Sequence, residues 1–483
     1  MRELARRRLF ALVAAGVAAA STGCGRGDEE DKVRVVDEVA EIVGPVERMD
    51  SFPTVDELNK FVDGLAAAHP GVVTVEEIGR SRGGDPIREV RIGSGQRHLV
   101  VLGNPHPNEP IGMATIQHLL HRLTRGDADT LGATWHFVLC VDPDGTRLNE
   151  GWFAGPMTRT AVARDFYRPA GSEQPEWCFP ITWQGTEVGV ALPETKALMA
   201  LIDRTRPALI ASLHNADFGG GFFYTTGGDA GYYAALTQLL ADANVPLYQG
   251  EPDAPGAKSW APGVFELPTF AQMADALVAV GVDPVPSIGG GGSRDYSAAY
   301  GTAVLVVELP LWGDPRITDP AASDRSVGSV MRAAATACRE LVDLVTGVLD
   351  RLGGRATGRS PFERSLRAGL TDLLDLAAAK DAAADQQRVA TRGEVFTEEY
   401  VWTGLHRLRS GGMLLRLLDE EVRRDPSPEL AAERARVAAI FEGWSADIER
   451  NAPGRAVPLD RLVAIQSGAI VTAATRLRDG LPI

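Results

Sequence analysis

Four cysteines in 483 residues, Cys24, Cys140, Cys178 and Cys338, are too few and too scattered for a disulfide framework or a cysteine-based zinc ribbon. Histidine is nearly as scarce, with eight in the chain, so any metal site must combine a few imidazoles with carboxylates. No apolar run reaches the roughly 20 residues that a membrane-spanning helix needs, which excludes a polytopic membrane protein. An excess of basic residues is also missing. Lys and Arg total 49 against 64 Asp and Glu, a net charge of −15, which argues against a nucleic-acid partner. What is present is an ordinary globular composition, 45% apolar and 23% charged, on a chain long enough for two or three domains at roughly 150 residues each.

The first 24 residues read as an address. Arg2, Arg6, Arg7 and Arg8 precede an apolar run from Leu9 to Ala20 that is too short to cross a bilayer and suits a signal peptide. Arg7-Arg8-Leu9-Phe10 resembles the twin-arginine pattern, and Thr22-Gly23-Cys24 resembles the end of a bacterial lipobox. This predicts lipidation of Cys24 and a lipoprotein on the outer face of the cell membrane, with secretion after cleavage as the alternative. A lipid at Cys24 is then the one expected membrane contact. Residues 25–50, opening with Gly-Arg-Gly-Asp-Glu-Glu-Asp, read as a linker.

Residues 51–353 alternate strand-like and helix-like segments. Val72–Ile78 and Ile87–Ile92 flank the turn Arg82-Gly-Gly-Asp-Pro86 and predict a hairpin. Strand-like runs follow at His98–Gly103, Trp135–Val141, Leu209–Leu213 and Thr302–Val307, and Ile111–Leu123 has helical rhythm. The pattern predicts an α/β fold, a mixed parallel and antiparallel sheet flanked by helices. From 354 to 483 the chain reads as an all-α extension, with helices over Leu366–Ala384, Glu398–Arg424 and Pro428–Ile448.

Reactive residue types stand where strands end. His106 and Glu109 follow the run ending at Gly103, His214 follows Leu213, and Glu308 ends the apolar run Thr302–Val307. Ligands bind outside the carboxyl ends of strands in open α/β sheets. Two histidines and a carboxylate suit an open zinc site with room for a water, and a further carboxylate beside it suits a general base. No Gly-x-Ser-x-Gly elbow stands between a strand and a helix to support a serine hydrolase.

The ordered set Glu77-Ile-Gly-Arg-Ser-Arg-Gly-Gly-Asp-Pro-Ile87, His106 to Glu109, Asp142-Pro-Asp-Gly145, Leu192-Pro-Glu-Thr195, Ser212-Leu-His214 and Gly292-Ser-Arg-Asp-Tyr296 to Glu308-Leu-Pro310 resembles the M14 zinc carboxypeptidases. The resemblance implies one Zn2+ held by His106, Glu109 and His214, with Glu308 as general base. Asp165-Phe-Tyr-Arg168 is similar to the family's Asp-x-Asn-Arg segment, which implies Asp165 bonded to a ligand histidine and Arg168 on the substrate's carboxylate. Tyr167 stands where the family has Asn, removing half of that clamp. Arg147 and Arg159 are both candidates for the oxyanion arginine, and spacing does not choose between them. Arg294 falls at the base of the family's specificity pocket, where it would favour an acidic side chain or pair with a nearby carboxylate. The family's tyrosine before Gly-Ser-x-Asp has no counterpart in Pro286–Gly292. The implied activity is metallocarboxypeptidase, on a peptide with a free carboxylate. The alternatives are an amidase or deacylase on small acylated amino acids or cell-wall peptides, and a surface binding lipoprotein without activity.

Overall fold

The computed structural model describes residues 38–125 and 130–483. The predicted signal peptide, Cys24 and residues 25–37 of the linker lie outside the described residues. A ten-stranded mixed sheet forms the centre. Its strands are β1 (Val73–Arg80), β2 (Pro86–Ile92), β3 (Arg97–Leu102), β4 (Ala133–Val138), β5 (Leu209–Phe218), β6 (Phe222–Thr225), β7 (Ser259–Ala261), β8 (Val264–Glu266), β9 (Ala303–Gly313) and β10 (Arg455–Ala456). Their order is β1-β2-β4-β3-β5-β9-β6-β8-β7, with β10 paired to β9. The longer helices are α1 (Val55–Ala68), α2 (Ile111–Leu123), α3 (Pro193–Thr205), α4 (Ala230–Asp242), α5 (Val327–Leu352), α6 (Pro361–Ala382), α7 (Thr403–Arg424), α8 (Pro428–Asn451) and α9 (Leu459–Arg478). No helix among the described residues is long and apolar enough to cross a membrane.

The predicted hairpin forms between β1 and β2, closed by Ser81 N–H to the Asp85 carbonyl at 2.8 Å, with Gly84 at φ +95 supplying the left-handed residue. The middle strands β4, β3, β5 and β9 run parallel, and their apolar runs are buried on both faces. Parallel registry brings the functional ends together. Leu102 pairs with Ser212, Leu213 with Val307 and His214 with Glu308, so the loop after β3 and the ends of β5 and β9 open on one crevice. In α2 the buried face includes Ile111, Ile116, Leu119, Leu120 and Leu123, the positions that carried its helical rhythm. Cys140, Cys178 and Cys338 are buried and unbridged, in keeping with the absence of a disulfide framework.

Two boundaries differ from the sequence expectation. The linker was placed over 25–50, but residues 38–43 are helical and bury Val39 and Val43 in the main core, so packing begins well before residue 51. Nor do residues 354–483 form one separate extension. Helix α9 contributes Leu462, Val463, Ile465, Ile470 and Val471 to the sheet's own core, and every residue from Ile465 to Arg476 is buried there. Helices α6, α7 and α8 share a second core with α5 and with Ala163, Phe166 and Tyr167. There α7 approaches so closely that a Cβ on Gly412 would lie 1.8 Å from the Ala163 carbonyl oxygen.

Candidate active site

Three predicted ligands converge on a common point. His106 Nδ1 lies 3.1 Å from Glu109 Oε2, His214 Nδ1 lies 2.8 Å from the same oxygen, and the two Nδ1 atoms are 3.2 Å apart. A tetrahedral ion with bonds of about 2.0–2.1 Å separates its ligand atoms by about 3.3 Å, so the donor set fits zinc in kind and spacing. Local structure explains the convergence. Glu109 N–H bonds the His106 carbonyl in the turn that precedes α2, which puts both side chains on one side. His214 projects from the end of β5 beside Ser212, and Glu308 Oε1 stands 3.8 Å from His214 Nδ1 across the paired strands.

The outer nitrogens of both imidazoles have partners, and the sequence reading found neither. His214 Nε2 faces Ser212 Oγ at 2.9 Å and Glu176 Oε2 at 3.3 Å, while Ser212 donates to Glu176 Oε1 at 2.8 Å. A carboxylate behind an imidazole fixes its orientation and raises its basicity as a metal ligand. Trp177 Nε1–H reaches His106 Nε2 at 3.1 Å. Both residues sit in a short 3₁₀ turn (Pro175–Trp177) with no flanking pattern, so only the rarity of a buried glutamate marks Glu176. Two sets of three donors gather tightly, His106-Glu176-His214 and Glu109-His214-Glu308. The Nδ1 atoms and Glu109 would hold an ion best, because Glu176 is already engaged with Ser212 on the far nitrogen of His214.

Charge in this enclosed space shifts the ionisations. Burial, helped by the Arg168 charge, lowers His106 to about 4. Burial would raise Glu109, but His106 and Arg168 hold it well below the usual carboxylate range. Burial opposes the charge on His214 too, yet Glu308, Glu109 and Glu176 together raise it well above the ordinary value. Glu308 is pushed up to about 8 by burial, against the pull of His214.

Other predicted residues are placed differently. Arg168 enters the cluster, donating to Glu109 Oε1 at 2.6 Å and lying 3.1 Å from His106 Nδ1. Neither oxyanion candidate joins it. Arg147 is bound to Asp85 at 2.5 Å and Asp56 at 2.7 Å, and Arg159 is buried with its guanidinium on the carbonyls of Ala452 and Tyr400. Asp165 bonds neither ligand histidine. Its carboxylate lies against Gly151, where a Cβ would come within 2.6 Å, and Trp177 takes the His106 nitrogen expected for it. Tyr167 turns its ring into the helices, edge-on to Phe362 at 5.6 Å. Arg294 pairs with no carboxylate among the described residues. Its Nε donates to the Leu267 carbonyl at 2.6 Å.

Comparison with known proteins agrees with this geometry. The Peptidase_M14 family, described as zinc carboxypeptidase, matches residues 58–230. Zinc carboxypeptidase A 1 of Anopheles gambiae is 26% identical over 206 residues, covering 38% of this chain and 46% of that protein. The chain thus spans about half the length of this curated relative. Among solved structures, carboxypeptidase A from Helicoverpa armigera aligns at 16% identity with a TM-score of 0.38, over 60% of this chain and 73% of that one. A metallo-carboxypeptidase from Burkholderia cenocepacia aligns at 16% identity with a TM-score of 0.33, over 53% and 60% respectively. The matched segment contains His106, Glu109 and His214, while Glu308 lies beyond it. Through residues 58–230 the chain is thus similar to the zinc carboxypeptidases of the M14 family.

Proposed function

We propose that this protein is a zinc-dependent carboxypeptidase or closely related amidase, hydrolysing an amide bond next to a free carboxylate on a peptide or acylated amino acid. The observation that carries the reading is the meeting of His106 Nδ1, His214 Nδ1 and Glu109 Oε2 within 3.2 Å of one another, with Glu308 beside them. His106, Glu109 and His214 would hold the zinc, which when bound polarises a carbonyl and acidifies water. Glu308 takes the proton from the attacking water and returns it to the leaving amine, and its burial gives it the basicity for both transfers. Glu176 and Ser212 hold the His214 ring in place. Arg168 is the cation nearest the cluster and binds the substrate's carboxylate through its planar fork. The arginine-rich start and Cys24 support export and a lipid anchor, with secretion as the alternative.

The test compares the native protein with Glu308→Gln for zinc content and for cleavage of a peptide library varied at the C-terminus. We expect one zinc in both and a loss of about 10²–10⁴-fold in kcat in the variant. Zinc bound without any Glu308-dependent cleavage would refute the proposal and favour a binding protein.

A further inference from the structure

Neither oxyanion candidate reaches the cluster, but one arginine from the helices bonds the strand that carries His214. Arg409 on α7 pairs with Asp217, which lies three residues beyond His214 on β5. Its Cζ sits 4.2 Å from the centre of the Phe166 ring, two residues before Arg168. Asp217 and Phe166 thus tie Arg409 to the two segments that carry His214 and Arg168.

Arg159, Arg168 and Arg409 face Asp217 and Glu109. Glu109 is a metal ligand, and Arg159 is taken up by the carbonyls of Ala452 and Tyr400. Arg168 and Arg409 keep side chains 31% and 21% exposed, so both stay partly accessible while largely withdrawn from bulk water. Among the described residues Arg409 bonds Asp217 through Nη2 alone, leaving Nε and Nη1 to take a further acceptor. Tyr167, standing where an amide would complete a carboxylate clamp, is turned away into the same helices that carry Arg409.

We propose that Arg409 is a substrate-binding residue that, with Arg168, grips a carboxylate of the substrate, so that the helical region supplies part of the recognition site. This rests on the hydrolase reading above. The carboxylate has two sources, the substrate's C-terminus or an acidic side chain, and paired substrates separate them.

The experiment uses the zinc-loaded full chain with Arg409→Met, Arg409→Lys and the double variant Arg409→Met/Asp217→Asn. Peptides are compared as free acids and C-terminal amides, and with Glu or Gln beside the scissile bond. In Arg409→Met and in the double variant we expect KM to rise about 10- to 100-fold with kcat within about threefold, consistent with losing a charge-assisted bond. Arg409→Lys recovers part of the loss. The rise vanishes on amides if the C-terminus is the source, and on Gln peptides if the side chain is. Native KM in a folded, zinc-loaded double variant would overturn the proposal, since Arg409 would then only neutralise Asp217. If the native protein cleaves nothing, the hydrolase reading fails separately. The inference is then read by calorimetric binding of N-acetylglutamate, where tenfold weaker binding to Arg409→Met supports it and equal binding overturns it.

Discussion

Gln466 on α9 is fully buried and holds together parts of the site that lie far apart in sequence. Its amide accepts from Thr115 Oγ1 at 2.8 Å, donates to the His214 carbonyl at 3.1 Å and lies 3.5 Å from the Val307 carbonyl. These carbonyls belong to His214, a proposed zinc ligand, and to the residue before Glu308, the proposed general base. Gln466→Met keeps the length of the side chain but leaves the Thr115 hydroxyl and the His214 carbonyl without their partners. Neither can turn to solvent, because Thr115 is 0% and His214 4% exposed. At about 1–3 kcal/mol for each of the two unsatisfied buried groups, the loss comes to about 2–6 kcal/mol. In urea, with a slope of about 3 kcal/mol per molar, the midpoint falls by roughly 1 M. Thr115→Val in the same background removes the stranded hydroxyl and restores part of the loss, because deleting both partners costs less than deleting one. A midpoint shift below about 0.2 M, or a double variant no better than the single one, would refute the reasoning.

Other outcomes follow from the same geometry. A neutral histidine that offers Nδ1 to a metal carries its proton on Nε2, so Trp177 must then give up that acceptor. Zinc titration into metal-free protein should therefore shift the tryptophan emission with one-to-one stoichiometry in the native chain and not in Trp177→Phe, and identical traces would refute this. Away from the site, burial raises Asp142 from 3.8 to about 7, against the bond from Gly145 N–H. An acid that holds its proton more tightly when folded contributes stability that is complete below about pH 4 and disappears as pH rises through 7. The urea stability of the native chain relative to Asp142→Asn should therefore fall between pH 4 and pH 7, and parallel curves would contradict it.

Strand ends made the main site legible. His106, Glu109, His214 and Glu308 each close or follow a short apolar run, and parallel registry turned that one-dimensional pattern into a cluster. The hairpin and α2 were legible for the same reason, because periodicity reports a buried face. Glu176 and Trp177 carried no such signal, since a 3₁₀ turn of three residues has no period to read. Arg147 and Arg159 were misplaced because sequence proximity says nothing of partners. One found two carboxylates on other elements, and the other found carbonyls in the helices. Arg409 and Gln466 lie hundreds of residues from what they touch, and the apolar stripes of their helices disguise them as ordinary packing. The boundary at 354 failed for a related reason, as composition changed there while the core did not.

Arg478 at the end of α9 pairs with Glu38, 440 positions earlier. Residue 38 therefore waits, through nearly all of synthesis, for its partner to emerge, and the sheet waits for α9 to cover it. The metal ligands are made less than halfway through, but Gln466 arrives after every one of them. A nascent chain thus carries the ligand histidines before it can hold them in place, and contacts of such long range make closure a late, slow step. Maturation of the site is timed by the last helix, which leaves the cluster incomplete until residue 478 has been added.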